Sequence, residues 1–407
     1  MAIKRAVIHL GMPKAGSSSI QRTLYKHAAI LEKNGFRYLT EWGEDHIEKF
    51  HGLFHRDVHH GQRCSNTFLP LAVRNMENKN SIKTMLRVIN NSGCETLILS
   101  GEFFKSLYLD STIGNIKNFI GKYFHSNNIE TTIIYYIRNP LTWLISWMNQ
   151  IFFSSGYLNK NADFFETAIK QYNGIFNLQE HFADYLKIIK FEEACLEKDG
   201  LVANFLTAIN FPKDGMEKID MSITKRNESR CMEVIEFVHF VEAMEDRHSF
   251  INYKRYIPSK FYRDIKPLKN IKGPKFDLPF QSKLDLWHRL QETVSRLKEN
   301  LNIDYTDYKI PAETLAFQKT YSTETIQEFI EAFPKLNLII QKHFLKFFEM
   351  KYMETAQEKF KQLHFMGSVP YTLYKRQYSF FGILNARMNN IVRTIKRVIE
   401  VKMPKFR

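Results

Sequence analysis

Gly11-Met-Pro-Lys14-Ala15-Gly16-Ser17-Ser18-Ser19 puts two glycines, one lysine and three hydroxyl side chains into a short run directly before a stretch of helical periodicity. Small residues at a helix start leave main-chain N–H groups open to an anion, and the helix dipole adds positive character at the same point. The spacing keeps both glycines and the final serine of the nucleoside-triphosphate pattern G-x-x-x-x-G-K-[ST], but Ser17 stands where that pattern needs lysine. The remaining lysine, Lys14, lies inside the loop. With no lysine to reach outer phosphates, a 5′-phosphate or phosphosulfate suits this loop better than ATP or GTP. A strand-to-helix turn that binds nothing is the plain alternative.

Three other groups carry chemical potential. Arg138-Asn139-Pro140 is followed by Ser146, so a guanidinium and a hydroxyl two helical turns along can reach one phosphate, and Arg pairs bidentately with phosphate oxygens. Alone, a strand-end Arg before Pro reads equally as a solvated cap. Glu102 follows the apolar run Leu97 to Ser100 and Gly101, which places it at the carboxyl edge of a sheet, where open α/β folds bind ligands. His51, His55 and His59 recur in steps of four, with His60 beside them, and would share one helical face. A metal site is the sharp reading of these histidines; without carboxylate or Cys ligands at matching spacing, a catalytic or glycan-contacting His or a polar helix face fits better.

Short apolar runs alternating with helical patterns must position these residues, the signature of an α/β protein with a parallel sheet flanked by helices. Strands are expected at Ala6 to Leu10, Thr96 to Ser100, Thr131 to Ile137 and Lys187 to Phe191. Ile20, Leu24, Ala28 and Leu31 predict one helix after the loop, with Ser18 and Gln21 resembling its capping box. Asn139 is placed to cap the helix through Trp143, Trp147 and Ile151, with Pro140 in its first turn. Beyond residue 200 the pattern is mainly helical, over roughly 229–245, 280–300 and 324–364. We expect one domain over 1–320 and a helical, basic extension over 321–407.

The 407 residues are 44% hydrophobic and 25% charged, enough apolar material for one large core or two smaller ones, which excludes a disordered chain. Apolar runs fall far short of the roughly 20 residues needed to span a bilayer, and the start shows no secretory signal pattern, so a cytoplasmic location is expected. The cysteines Cys64, Cys94, Cys195 and Cys231 have no CxxC spacing and read as reduced thiols. The net charge of +15 favours anionic partners, yet the excess is uneven. From Lys359 to Arg407 eleven Lys/Arg face one acid, Glu400, interspersed with the apolar stripe Phe380, Leu384, Met388, Ile391, Ile395 and Val398. This tail reads as a helix docked on the catalytic domain; its alternative is peripheral association with an anionic membrane surface, at the inner face of the membrane.

Val7 to Gln21 resembles the 5′-phosphosulfate-binding loop of the sulfotransferases that use 3′-phosphoadenosine 5′-phosphosulfate (PAPS), especially bacterial and carbohydrate-directed members. Arg138, Pro140 and Ser146 match the spacing of that family's 3′-phosphate motif, and Lys187 to Glu193 is similar to its closing strand and acidic turn. Asn227-Glu-Ser229 before a helix is also family-like. The resemblance covers roughly residues 1 to 310. It implies a P-loop-like fold, PAPS as sulfuryl donor and no required metal. It implies that Lys14 stabilises charge on the bridging oxygen, that Lys14 to Ser19 bind the 5′-phosphate, and that Arg138 and Ser146 bind the 3′-phosphate. The acceptor it implies is a hydroxyl or amine of a carbohydrate, such as a cell-surface polysaccharide or glycolipid. Glu102 is the first candidate for general base and the histidine group the second. The family's cytosolic small-molecule branch carries an Arg-Lys-Gly segment with a downstream Gly-Asp-Trp; only Lys272-Gly273, followed by Pro274, remains here, which leaves the adenosine-side clamp unassigned.

Competing classes have less support. A P-loop kinase or NTPase lacks its lysine. No two aspartates stand two residues apart, so the metal-binding triad of many nucleotide-sugar glycosyltransferases is missing. A nucleic-acid binder needs basic residues interleaved with aromatics along a groove, and the basic excess instead sits in the tail.

Overall fold

The computed structural model describes residues 2–54, 71–102, 107–154, 164–221, 231–245, 265–311 and 323–336, together with Ile340, Gln341, His343, Phe344 and Phe347. The chain divides into two compact units: Met1–Trp147 with Asp163–Glu228 and Gln281–Ile310, and Met148–Ala162 with Ser229–Phe280 and Pro311–Arg407.

The first unit is built on five parallel strands, β1 (Arg5–Gly11), β2 (Phe36–Tyr38), β3 (Thr96–Glu102), β4 (Glu130–Ile137) and β5 (Leu186–Lys190), in the order β2-β3-β1-β4-β5. The central strands read as continuous apolar runs because both faces are covered; Val7, Ile8, Leu97 to Leu99 and Ile133 to Ile137 are all buried. Each such side chain contributes on the order of 1.5–3 kcal/mol through removal from water. Register decides what meets at the carboxyl edge. Gly11 lies opposite Glu102, so the start of the Gly/Ser loop and the candidate base are neighbours. Ile137 lies opposite Lys190, which sets Arg138 beside the turn out of β5.

Helices fill the crossovers. The expected first helix is two, α1 (Ser17–Lys26) and α2 (Ala28–Lys33). His27 closes α1 through its N–H on Thr23 O at 3.0 Å and opens α2 by accepting from Leu31 N at 3.0 Å, so the apolar spacing survives a break that periodicity does not register. After α3 (Ile47–Phe54), α4 (Leu71–Asn91) and α5 (Asp110–Tyr123) come α6 (Pro140–Ser154) and α7 (Phe164–Phe182). Pro140 opens α6, as its fixed φ and missing N–H favour. Then follow α8 (Phe191–Leu196), α9 (Gly200–Ala208) and α10 (Lys213–Met216). The C-terminal end of α9 is closed by cations, Lys187 Nζ donating to Ala208 O at 3.2 Å and Arg5 Nη2 to Ile209 O at 2.7 Å.

A buried polar network crosses the middle of the sheet. His9 Nδ1 meets Ser100 Oγ at 2.8 Å, Ser100 N–H donates to His46 Nδ1 at 3.0 Å, and Gln21 Nε2 donates to Ser100 O at 3.4 Å. Accepting that N–H requires a bare Nδ1 on His46, which fixes its neutral tautomer. Burial drives both imidazoles down to about 3, with the Leu39 carbonyl opposing the shift at His46.

In the second unit, α11 (Met232–Glu245) sets Phe237 edge-on against Phe329, Phe344 and Phe347, at 6.0, 5.5 and 5.4 Å between ring centroids. The helix α12 (Phe280–Leu301) begins at the boundary between the units, and α13 (Thr323–Ala332) ends in a 3₁₀ turn at Phe333–Lys335, where Pro334 stops it. Lys272 and Gly273 are held by packing within this unit: Lys272 O accepts from Thr325 Oγ1 at 2.9 Å, and a Cβ on Gly273 would meet Glu233 Oε2 at 2.7 Å. Most of the expected 321–407 extension, including the whole basic tail, lies outside the described residues. Among the described residues no helix is long and apolar enough to cross a membrane.

Candidate functional site

Gly16 is the N-cap of α1, with φ 75° and no side-chain cap, so the expected Ser18–Gln21 capping box is absent. The helix starts two residues earlier than a Ser18 cap requires, which puts Ser18 inside it, and Gln21 turns to the Ser100 carbonyl instead. Glycine suits position 16 because its φ is left-handed and a Cβ there would lie 2.0 Å from Leu201 Cδ2, so that the leucine side chain would have to move. Gly11 has a different reason: a Cβ there would sit 2.6 Å from Ser17 Cβ, so its absence lets Ser17 pack over the end of β1. Lys14 is also left-handed, φ 64°, a conformation that costs a non-glycine residue roughly 1–2 kcal/mol. Left-handed residues thus flank Ala15 on both sides, the kind of backbone from which anion nests are built.

The N–H groups of Gly16, Ser17 and Ser18 find no acceptor among the described residues, and the first turn of α1 holds no acidic residue. Ala15 N instead closes the loop on Met12 O at 3.2 Å and Ser19 N caps back on Gly16 O at 2.9 Å. Ala15 and Ser17 are buried, Lys14 and Ser19 half-buried, and Ser18 exposed. Ser17 Oγ points to Glu102 Oε1 at 3.5 Å. Burial pushes the Glu102 carboxyl above the usual carboxylate range and Asp45 adds to this, while Lys14 and the Ser17 hydroxyl oppose it. Glu102 therefore stands at the mouth of the loop, within the field of the Lys14 ammonium.

The β4–α6 junction supplies the second half. Asn139 Oδ1 accepts from Leu141 N at 3.0 Å and Thr142 N at 3.2 Å, the cap expected from Asn-Pro. Arg138 donates from Nη1 to Lys14 O at 2.8 Å and from Nε to Thr142 Oγ1 at 3.1 Å. Its Nη2 has no partner among the described residues. Trp143 Nε1 donates to Pro13 O at 2.9 Å, so consecutive loop carbonyls are held from one junction. Ser146, one turn beyond Thr142 on the same helix face, is buried, and its hydroxyl also has no partner among the described residues. Loop and arginine motif, 124 residues apart in the chain, are thus in direct contact.

Sequence reasoning missed what braces Arg138. Glu192 Oε1 accepts from Asn139 N at 2.9 Å and Thr142 Oγ1 at 3.3 Å, and Glu192 Oε2 accepts from Tyr305 OH at 3.2 Å. Tyr172 OH donates to Arg138 O at 2.6 Å, and the guanidinium carbon lies 5.3 Å from the centre of the Phe191 ring. The acidic turn after β5 was a visible signal for Glu192; nothing in the local pattern marks Tyr305.

Of the histidine group, His51 alone falls among the described residues. His51 is buried in α3, which ends at Phe54, and His55, His59 and His60 lie outside the described residues. Among the described residues no cluster of His, Cys, Asp and Glu is arranged to hold a metal ion.

No family model matches this chain, and no curated protein matches it. Among solved structures, a sulfotransferase from Alicyclobacillus acidocaldarius is similar with 13% identity and a TM-score of 0.34, over 60% of this chain and 94% of that one. The sulfotransferase domain from the curacin biosynthetic pathway is similar with 11% identity and a TM-score of 0.32, over 72% of this chain and 99% of that one.

Proposed function

We propose that this protein is a PAPS-dependent sulfotransferase acting on a carbohydrate hydroxyl or amine. The observation that carries this reading is the 2.8 Å contact between Arg138 and the Lys14 carbonyl, which joins two sets of unpartnered donors at one sheet edge. One set is the N–H groups at the start of α1; the other is Arg138 Nη2 and the Ser146 hydroxyl. Two separate phosphate-binding centres suit a nucleotide phosphorylated at both 3′ and 5′ positions better than a linear triphosphate, whose outer phosphates would need the absent lysine.

The donor supplies a sulfuryl group whose bond to the 5′-phosphate oxygen breaks as a bond to the acceptor oxygen or nitrogen forms. Gly16, Ser17, Ser18 and Ser19 bind the 5′-phosphate with main-chain and hydroxyl donors. Lys14 places its ammonium where negative charge develops on the departing bridging oxygen, a preorganised electrostatic role. Glu102 takes the acceptor proton. Burial raises its pKa, which makes the ionised carboxylate a stronger base. Arg138 and Ser146 bind the 3′-phosphate. No step in this scheme calls for a metal.

Radiolabelled PAPS offered with a panel of polysaccharides, glycolipids and glycan precursors tests the acceptor class. Label on a carbohydrate is the expected result; label appearing only on non-carbohydrate acceptors overturns it. For the basic tail, we propose the anionic membrane surface as a second partner. Anionic liposomes should then sediment the intact chain and not a truncation ending near residue 358, and equal recovery removes that role.

A further inference from the structure

We propose that Arg138, beyond gripping a 3′-phosphate, is the positioning residue that holds Lys14 in its working conformation. The inference rests on the donor-binding role argued above and deepens it. Lys14 sits in the left-handed region without being glycine, and such backbone strain persists only where the surroundings impose it. Arg138 Nη1 holds Lys14 O at 2.8 Å and Trp143 Nε1 holds Pro13 O at 2.9 Å, so the β4–α6 junction turns two consecutive carbonyls toward itself. With both carbonyls so engaged, the N–H groups of Gly16, Ser17 and Ser18 are left for the ligand.

Arg138 is itself braced. Its Nε is fixed on Thr142 Oγ1, Thr142 is tied to Glu192, and Glu192 is tied to Tyr305, so little of the guanidinium's freedom remains. This leaves Nη2 as the face for the 3′-phosphate while Nη1 serves the loop. One side chain therefore couples the two halves of the nucleotide site: losing it damages the 5′ side even when the ligand has no 3′-phosphate.

Adenosine 5′-phosphosulfate, which lacks the 3′-phosphate, separates the two roles. Its dissociation constant is measured by calorimetry for the wild type, Arg138→Ala, Lys14→Ala and the double variant, with PAP, the desulfated product of PAPS, as the comparison ligand. Positioning through Lys14 predicts that Arg138→Ala weakens adenosine 5′-phosphosulfate about tenfold in the wild type and less than about twofold in the Lys14→Ala background, the non-additivity of residues acting as a unit. Thr142→Val, which removes the brace and keeps the cation, should reproduce a smaller loss that Thr142→Ser restores, and it serves if Arg138→Ala does not fold. The inference is overturned if Arg138→Ala weakens PAP alone, or if its cost is the same in both backgrounds. A wild type that binds neither PAP nor adenosine 5′-phosphosulfate overturns the donor reading beneath it.

Discussion

The β1–α1 and β4–α6 junctions end neighbouring strands of one sheet, and they treat their helix N-termini in opposite ways. At α6 the fold satisfies its own donors: Asn139 Oδ1 accepts from Leu141 N and Thr142 N, and Glu192 accepts from Asn139 N. At α1 it leaves them open, with Gly16 as a cap that has no side chain and with no acid in the first turn. Capping groups normally contribute about 1 kcal/mol, so an uncapped helix start forgoes stability that the protein could easily have had. The capped junction acts instead through side chains, Arg138 and Ser146, whose remaining donors point away from the helix's own needs. On the proposed function, the difference separates a backbone anion site from a side-chain anion site, and the two junctions meet at the Lys14 carbonyl.

The comparison breaks most sharply at Lys14. Lys14→Ala removes the cation of the open junction and should lower PAP release from PAPS by about 10²–10³-fold, as loss of one preorganised charge-stabilising group does. Near-normal turnover would detach Lys14 from the chemistry. Glu102→Gln should lower turnover on the order of 10²-fold while sparing PAP affinity, and the wild-type rate should fall as pH drops through the raised Glu102 pKa, because the base must be ionised. A rate independent of pH on the acid side, or an unaffected variant, would move the base elsewhere.

Ser18→Asp tests the trade directly, since it places a carboxylate at the open helix start. Thermal stability should rise by about 0.3–1 kcal/mol through the helix dipole while PAP affinity falls roughly tenfold through repulsion. A variant that gains stability and keeps its affinity would mean that no anion binds there. Asn139→Ala should do the reverse, costing about 1 kcal/mol in thermal unfolding with a smaller effect on the 5′ side. If it changes nothing, the cap at α6 contributes nothing to the fold.

The sheet was legible because buried parallel strands are continuous apolar runs, and β1, β3 and β4 announced themselves as such; β5, half-exposed and flanked by lysines, lies one residue before the expected Lys187 to Phe191 because Phe191 opens α8. Three-residue β2, Phe36–Tyr38, is too short for periodicity to mark. The loop and the arginine motif were legible from local spacing. Their contact was not, because Arg138 and Lys14 are joined by the order of β1 and β4 in the sheet, which no single stretch of sequence records. Ser18 as a cap failed for a related reason: a positive φ at Gly16 moved the helix start, and the glycine, not the serine, decided the cap. Tyr305 reaches Glu192 from far along the chain at 3.2 Å and was invisible for the same topological reason as the Arg138–Lys14 contact.

The most direct measurement is metal-free thermal unfolding with PAP, with AMP and, separately, with ATP and Mg²⁺. A ligand at about 100 times its dissociation constant adds roughly 2.7 kcal/mol, enough to read as a clear shift. Two anion centres joined at Lys14 and Arg138 predict strong stabilisation by PAP and little by AMP, with Arg138→Ala removing most of that difference. Stabilisation by Mg-ATP and none by PAP would contradict the account and identify the loop as a triphosphate site.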